Sequence, residues 1–359
     1  MLNASSPTLP LAIIVHPHTV HDFARRFGWT RHIPPRLAEA VLPLVPPFAL
    51  TTAAIAAGER ETDVTFIACP ATAAQINAGR VNLSTKLASC FRLAAERGAA
   101  IAVMTGYLNA GCGRWRPDDT NFGVVPWSDG ADGKLLLALW AMRAVASLMG
   151  VPLVTARVAV LAATEPTGAV MAHLLAREVG ELTLIDRPGR RLERLAEEIL
   201  AASGTAAVAV HRLTSTTGQL LVAGGRRAAE LVAQAAETAP ELLSRAAILD
   251  LGRPPFLTGH AYGAFVFHGG AARLPDPMSL PEELGFPPRT ACGAITEGLL
   301  LALAGERPRR SGGQPTLSGC DRLAELAKRL GIGFAALMRD NQVLPWGAVR
   351  AELARADGE

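Results

Sequence analysis

The chain has 359 residues, 50% hydrophobic and 19% charged, a composition typical of folded globular proteins and unlike that of disordered ones. Its 35 basic and 32 acidic residues give a formal net charge of +3, and aromatic residues make up only 5% of the chain. Because the chain has neither a strong basic field nor many side chains for base stacking, nucleic acid is not an expected partner. The length predicts about two domains.

The cysteines and the apolar segments indicate a cytoplasmic protein without a membrane span. Five cysteines occur without a CxxC pair, which favours reduced thiols over a disulfide framework or a zinc site. The apolar run LAIIV lacks a basic start and ends at His16, so it predicts a buried strand and not a signal peptide. Charged residues interrupt the apolar segments 134–150 and 295–306, which therefore predict core helices.

The first part of the chain alternates strand and helix patterns. LAIIVHP, DVTFIAC and AIAVMTG predict strands, and residues 73–98 predict a pair of amphipathic helices between the last two. A Gly-rich loop at 107–133 follows, and loops of this length in compact chains usually line or cover a site. This pattern predicts an α/β domain over residues 1–150.

Residues 151–290 show the regular rhythm of a doubly wound parallel sheet. The apolar strand segments are RVAVLAA, ELTLID, AAVAVHRL, QLLVAGG, AAILDLG and GAFVFHGG. They predict a Rossmann-type dinucleotide-binding domain, and residues 291–359 predict a C-terminal helical segment packing on the N-terminal domain. The fold class is therefore α/β: a central Rossmann-type doubly wound parallel sheet, an N-terminal α/β domain and C-terminal helices.

The first strand–turn–helix of the Rossmann-type domain, RVAVLAATEPTGAVMAHLL, has an unusual turn. Dinucleotide turns use glycines for a tight bend and for close approach of the pyrophosphate to the helix N-terminus. Gly168 keeps the helix-packing glycine and Thr164 or Glu165 can cap the helix, but Ala162 and Glu165 stand where two glycines are expected. The Glu165 carboxylate would repel a pyrophosphate by a few kcal/mol at an effective dielectric of about 20, which predicts weak or lost cofactor binding.

The second strand of this domain ends in LIDRPGRR. An acidic residue about twenty positions after the turn accepts the ribose hydroxyls of NAD, whereas an arginine accommodates the extra phosphate of NADP. Asp186 favours the first cofactor and Arg187 the second; an N-cap followed by a solvated basic helix face is the alternative for this pair. Gly224, Gly225 and Gly252 are predicted to close over the nucleotide.

Cys292 stands in PPRTACGAITEGLLLALAG, just before a predicted helix. A helix N-terminus stabilises a thiolate, the form in which cysteine acts as a nucleophile, and an inert buried cysteine is the alternative. The histidines at 16, 18, 21 and 32 have no acidic or thiol companion at ligand spacing. They favour loop and strand-end roles, and no metal site is expected.

Taken together, these segments resemble the long-chain acyl-ACP reductases (acyl-acyl-carrier-protein reductases) and their relatives, predicted amino-acid dehydrogenases. The resemblance covers nearly the whole chain. It lies in IIVHPHTVHDFARRFGW, AGRVNLSTKLASCFRLAAERGAAIAVMTGYLNA, the Rossmann unit from 157, ILDLGRPP, VFHGGAA and, most specifically, TACGAITEGLLLALAGE. It implies reduction of an acyl thioester to an aldehyde, with Cys292 as the acyl-accepting nucleophile and Glu297 as the neighbouring catalytic acid of the signature.

The resemblance also implies a cofactor and partners. NADP(H) would be bound around Thr164, Gly168, Asp186 and Arg187, with binding weak or lost because of the departures at Ala162 and Glu165. Residues 1–150 would form the substrate domain, and the acyl group would arrive on acyl carrier protein or acyl-CoA. An aldehyde-consuming enzyme would take the product.

Two other functions fit the same residues. A non-catalytic or altered-specificity homologue, favoured by Glu165, would use the same cleft to bind a ligand or a partner protein. An amino-acid or shikimate-type dehydrogenase would need a Lys and an Asp acting together as acid and base, and Lys86 is the evident lysine in a suitable segment.

Overall fold

A computed structural model describes residues 7–22, 32–108, 125–214, 218–252, 254–257, 263–308 and 314–356. Residues 109–124 of the predicted functional loop lie outside these ranges, as does Cys112. The chain divides into two compact units. Unit 1 comprises Met1–Gly133, Ala272–Gly313 and Asp321–Gly333, and unit 2 comprises Lys134–Ala271, Gln314–Cys320 and Phe334–Glu359. No helix within the described residues is both long and apolar enough to cross a membrane.

The strands lie mainly in two large sheets and one small one. They are β1 (Leu11–Val15), β2 (Phe48–Ala57), β3 (Arg60–Ala68), β4 (Ile101–Met104), β5 (Trp127–Ser128), β6 (Arg157–Leu161), β7 (Glu181–Ile185), β8 (Ala207–Val210), β9 (Leu220–Ala223), β10 (Ala247–Asp250), β11 (Phe265–Phe267), β12 (Gly270–Arg273), β13 (Thr290–Cys292), β14 (Gly333–Arg339) and β15 (Gln342–Val343).

Helices connect most of these strands. They are α1 (Pro35–Val41), α2 (Ala73–Asn77), α3 (Leu83–Glu96), α4 (Ala131–Leu148), α5 (Pro166–Ala176), α6 (Arg190–Ser203), α7 (Ala228–Thr238), α8 (Glu241–Ser244), α9 (Gly293–Ala304), α10 (Leu317–Leu330) and α11 (Trp346–Ala356). Short 3₁₀ turns lie at Leu42–Leu44, Leu153–Thr155 and Glu282–Leu284.

Unit 1 is built on a five-stranded sheet of order β2–β3–β1–β4–β5. The apolar strand β1 pairs in parallel with β3 and β4, as expected for strands joined by crossover helices, and β2 and β3 form an antiparallel hairpin. The predicted helix pair is observed as α2 and α3, where Thr72 and Asn82 cap the two N-termini. Residues at helical spacing on α3, from Leu83 to Ala94, pack against the sheet.

Helix α9 is buried along its whole length and packs on β1, β3 and β4 of unit 1. Its small residues allow close packing: a side chain at Gly298 would collide with Val103 and press on Leu11. An apolar helix without a polar face belongs in a core, as the sequence predicts for residues 295–306. The helix therefore fixes the position of whatever precedes it.

Unit 2 confirms the predicted Rossmann-type sheet. Its six strands are all parallel and have the order β8–β7–β6–β9–β10–β11, which is 3-2-1-4-5-6 when counted from β6. Alternate residues of the same strands enter two separate apolar cores: Val158 and Val160 one, Ala159 and Leu161 the other. Cores on both faces are the mark of a doubly wound sheet.

The C-terminal segment differs from the helical prediction. Residues 291–359 contain α9, α10 and α11, but also β14 and β15, which pair in antiparallel fashion. A third sheet has the order β13–β12–β14–β15. The functional roles assigned to the three sequence segments stay predictions.

Candidate functional site

Cys292 lies where β13 ends and α9 begins. It is the N-cap residue of α9, with extended backbone angles, and its carbonyl oxygen accepts a hydrogen bond from the Thr296 hydroxyl at 2.9 Å. All the helical residues that follow are buried, whereas Cys292 itself is partly exposed. The three other described cysteines, Cys69, Cys90 and Cys320, are buried. Cys292 is thus the partly exposed cysteine of the described residues.

The first turn of α9 packs tightly on the segment that joins β5 to α4. A side chain at Gly130 would overlap Ala294, and one at Gly133 would overlap the Gly293 carbonyl. Gly130 also has a φ of +70°, which favours glycine. The two backbones can approach this closely only because both positions are glycine.

Glu297 joins the same two segments through its carboxyl group. One carboxyl oxygen bonds the Ser128 hydroxyl and the other accepts the Gly133 N–H at 2.7 Å. The side chain is 5% exposed. Burial raises the pKa of Glu297 to about 7; the bonds from Ser128 and Gly133 oppose this rise, and the nearby Asp132 and Asp129 add to it.

Sequence reasoning placed Cys292 and Glu297 together, and the structure brings both to the N-terminal half of α9. Sequence reasoning did not identify Ser128, which lies far away in sequence, as the partner of the Glu297 carboxyl group. Both Glu297 oxygens are engaged with the β5–α4 segment, so this residue determines how the N-terminus of α9 is held. No local sequence signal marks Ser128 as its partner.

The turn between β6 and α5 in unit 2 keeps the packing of a dinucleotide turn. A side chain at Gly168 would lie 2.7 Å from the Ala162 carbonyl oxygen, and one at Gly224 would lie 2.5 Å from the Gly168 Cα. Ala162 takes the left-handed conformation, with φ 55°, at a position where glycine is expected. For alanine this conformation costs roughly 1–2 kcal/mol.

Asp186 lies at the tip of β7 and binds the turn itself. One oxygen accepts the Thr164 hydroxyl at 2.6 Å and the Thr164 N–H at 3.0 Å; the other accepts the Arg187 N–H at 2.8 Å and the Arg227 guanidinium at 3.0 Å. Burial would raise the pKa of Asp186, but the bonds from Thr164, Arg187 and Arg227 outweigh it and lower the pKa. The partner of Asp186 is therefore Arg227, a residue that was not identified from the sequence. The side chain of Arg187, which the sequence did single out, is exposed.

Glu165 places its carboxylate over Gly225. A side chain at Gly225 would overlap the carboxylate carbon and both of its oxygens. Glu165 is the N-cap residue of α5, but its side chain makes no capping hydrogen bond. The structure therefore brings the predicted Thr164, Gly168, Asp186, Gly224 and Gly225 together, with a negative group among them.

Gly252 lies in a loop organised by Asp250, a residue that sequence reasoning did not single out. The fully buried Asp250 carboxylate accepts the N–H groups of Gly252 at 2.8 Å, Phe256 at 3.2 Å and Leu257 at 2.7 Å. A side chain at Gly252 would come within 2.6 Å of the Phe256 nitrogen and the Pro254 oxygen. The loop's own packing thus accounts for glycine here, and contact with a nucleotide stays a prediction.

His16 has the strand-end role that the sequence favours. Its Nε2 accepts the Tyr107 N–H at 2.9 Å, and its Nδ1 lies 3.0 Å from the Pro17 carbonyl oxygen. Gly106 has a φ of +58°, and a side chain there would overlap the His16 ring. Among the residues with described positions, no group of three or more His, Cys, Asp or Glu could hold a metal ion.

We expect Ala162→Gly to be less destabilising than Ala163→Gly, by about 1–2 kcal/mol. Both changes remove a buried methyl group and add chain flexibility, but only the first relieves a left-handed alanine. The free energy of unfolding in urea measures both. Equal losses would show that residue 162 is not strained.

We expect the free energy of unfolding to fall by about 3 kcal/mol between pH 4.5 and 7 because of Glu297, whose pKa rises from 4.5 to about 7 on folding. Between these values the folded state binds a proton that the unfolded state does not, so stability falls as the pH rises. Glu297→Gln mimics the protonated group and should remove this part of the pH dependence. Urea unfolding at several pH values, with the exposed Glu96→Gln as control, tests this; parallel profiles for wild type and Glu297→Gln would contradict it.

No family model and no curated protein matches the chain. Several solved structures are similar to it at a low level, among them the following three. The 5-ketofructose reductase of Gluconobacter sp. strain CHM43 is 12% identical (89% of this chain, 99% of that one, TM-score 0.32), and L-tryptophan dehydrogenase of Nostoc punctiforme is 12% identical (98% and 88%, TM-score 0.35). Quinate dehydrogenase of Corynebacterium glutamicum, solved with NAD, is 13% identical (90% and 99%, TM-score 0.33). Likenesses this low do not carry those activities over to this chain.

Proposed function

We propose that this chain reduces an acyl thioester to an aldehyde, with Cys292 accepting the acyl group and NADP(H) as the reductant. The observation that supports the first half best is the placement of Cys292, partly exposed at the N-terminus of a helix that is otherwise buried. A helix N-terminus favours a negatively charged sulfur, and partial exposure allows a carrier-bound carbonyl to approach. The parallel sheet of order 3-2-1-4-5-6 supports the second half.

In the acyl-transfer step, the Cys292 sulfur attacks the carbonyl carbon of acyl-CoA or of an acyl group on a carrier protein. A new carbon–sulfur bond forms at Cys292 as the bond to the carrier sulfur breaks. The carrier leaves as a thiolate, which takes up the proton that Cys292 has lost. The step is a thioester exchange, so it requires no further reactant.

The residues of the β6–α5 turn fit an anionic cofactor. Gly168 and Gly224 let the start of α5 pack closely on the turn and on the end of β9, as in a dinucleotide-binding turn, and the Glu165 carboxylate lies over Gly225. The exposed Arg187 would face an additional phosphate on the ribose. When bound, NADP(H) supplies the hydride that, with one proton, converts the Cys292 thioester into an aldehyde and the free thiol.

Glu297 acts in this proposal as a positioning residue. Its carboxyl group is engaged by Ser128 and Gly133, and through them it holds the β5–α4 segment against the first turn of α9. Cys292 immediately precedes that turn.

The product of the reaction is reactive, so the chemistry calls for an aldehyde-consuming enzyme as the next partner.

A second candidate is an altered-specificity homologue that binds a ligand or partner protein without reduction. The carboxylate over Gly225 favours it, because that group occupies the region where a pyrophosphate would lie. Calorimetric titration with NADPH and NADH separates the two candidates. If the second candidate function is correct, neither nucleotide should bind at millimolar concentration.

We expect acyl-CoA to leave a covalent acyl group on Cys292. Incubation with octanoyl-CoA or palmitoyl-CoA should raise the intact mass of the wild-type protein by one acyl group, and peptide mapping should place it at Cys292. Cys292→Ala should abolish the adduct, while Cys112→Ser and Cys320→Ala should retain it. With NADPH added, wild type should release aldehyde and Cys292→Ala should not. An adduct that persists in Cys292→Ala would refute the assignment.

A further inference from the structure

The β6–α5 turn uses most of its own hydrogen-bond donors. The N–H of Ala163 donates to the Ile185 carbonyl at 3.3 Å, that of Thr164 to Asp186 at 3.0 Å and that of Glu165 to the Ala162 carbonyl at 3.1 Å. Pro166, the first residue of α5, has no N–H. The donors left at the start of the helix are therefore the N–H groups of Thr167 and Gly168, because Ala169 already bonds the Glu165 carbonyl.

The N–H groups of Thr167 and Gly168 lie at the N-terminus of α5, the positive end of the helix dipole, where an anion is stabilised. The chain supplies an anion beside this turn, the Glu165 carboxylate, which lies over Gly225. Because this side chain makes no capping hydrogen bond with α5, its position is not required for the helix to begin. Its partial exposure leaves it a path toward solvent.

Asp186 engages the cation that lies beside the turn, Arg227. Its two oxygens accept four hydrogen bonds from Thr164, Arg187 and Arg227. The Arg227 guanidinium, a cation close to the turn, is thereby paired with Asp186 and also lies 3.9 Å from Glu230. A phosphate group over Gly225 would therefore face the Glu165 carboxylate, while the Arg227 guanidinium is already paired with Asp186.

We propose that the Glu165 carboxylate obstructs the place of the cofactor's pyrophosphate over Gly225, and that it must swing away for NADP(H) to bind. This inference rests on the proposed function, because it concerns the affinity of that cofactor site. Glu165 therefore sets the affinity for the dinucleotide.

The test is calorimetric titration of the full chain with NADPH, comparing wild type with Glu165→Gln and Glu165→Gly. Removing a like charge a few Å from the phosphates should lower the Kd on the order of a hundredfold. Glu165→Gly should give the larger gain, because it also clears the space over Gly225. The matched control is Glu193→Gln, an exposed acid in the first turn of α6 in the same unit, which should leave the Kd unchanged.

A second measurement uses inorganic pyrophosphate as the probe and does not involve turnover. Pyrophosphate should raise the melting temperature of Glu165→Gly more than that of wild type, and the melting temperatures without ligand should be similar because no capping bond is lost. An unchanged Kd in both Glu165 variants, or no binding in any of them, would overturn the inference.

The proposed function and the inference about Glu165 can be tested independently of each other. If wild type releases aldehyde from acyl-CoA with NADPH while the Glu165 variants bind NADPH no better, the inference is wrong and the function stands. If the Glu165 variants bind NADPH tightly but Cys292 takes up no acyl group, the inference stands and the acyl-reductase function is wrong.

Discussion

The candidate site of unit 1 depends on one buried carboxyl group. Glu297 sits in the apolar helix α9, where an unpaired ionised group would cost several kcal/mol, and the Ser128 hydroxyl and the Gly133 N–H make its burial possible. An apolar residue could fill the same space but could not fix the β5–α4 segment in register with the helix. The glycines at 130 and 133 then allow the backbones to meet, and Cys292 receives a defined place at the edge of a rigid core.

In unit 2 the corresponding polar residues lie at the turn between β6 and α5 and not within a buried helix. Its sheet and its two apolar cores specify a doubly wound scaffold, but the turn after β6 is held by an acidic side chain of the chain itself, that of Asp186. Asp186 bonds both Thr164 and Arg227, and the Glu165 carboxylate lies over Gly225. The apolar residues of the sheet therefore determine the fold of unit 2, whereas the polar residues of the β6–α5 turn determine the charge and the free space at its surface.

The sequence predicted the elements whose patterns are strong and missed those whose patterns are weak. The apolar strand runs of unit 2 and the apolar helix after Cys292 give strong sequence signals, and all are observed. Strand β2 is rich in alanine and threonine and has no apolar alternation, so its pairing with β3 determines its structure and its own sequence pattern does not. Strands β14 and β15 lie between strong helical patterns and were predicted as helix. In the same way, the partners Ser128 and Arg227 are tertiary contacts that no local motif announces.

The elevated pKa of Glu297, about 7, couples the integrity of unit 1 to proton exchange. In mildly acidic solution the folded chain carries a hydrogen on this carboxyl group, and melting sets it free into the buffer. The heat absorbed on melting then includes the ionisation enthalpy of whichever buffer captures that hydrogen. Calorimetric enthalpies of this protein in phosphate and in an amine buffer will differ for that reason alone, with no change in a single internal contact.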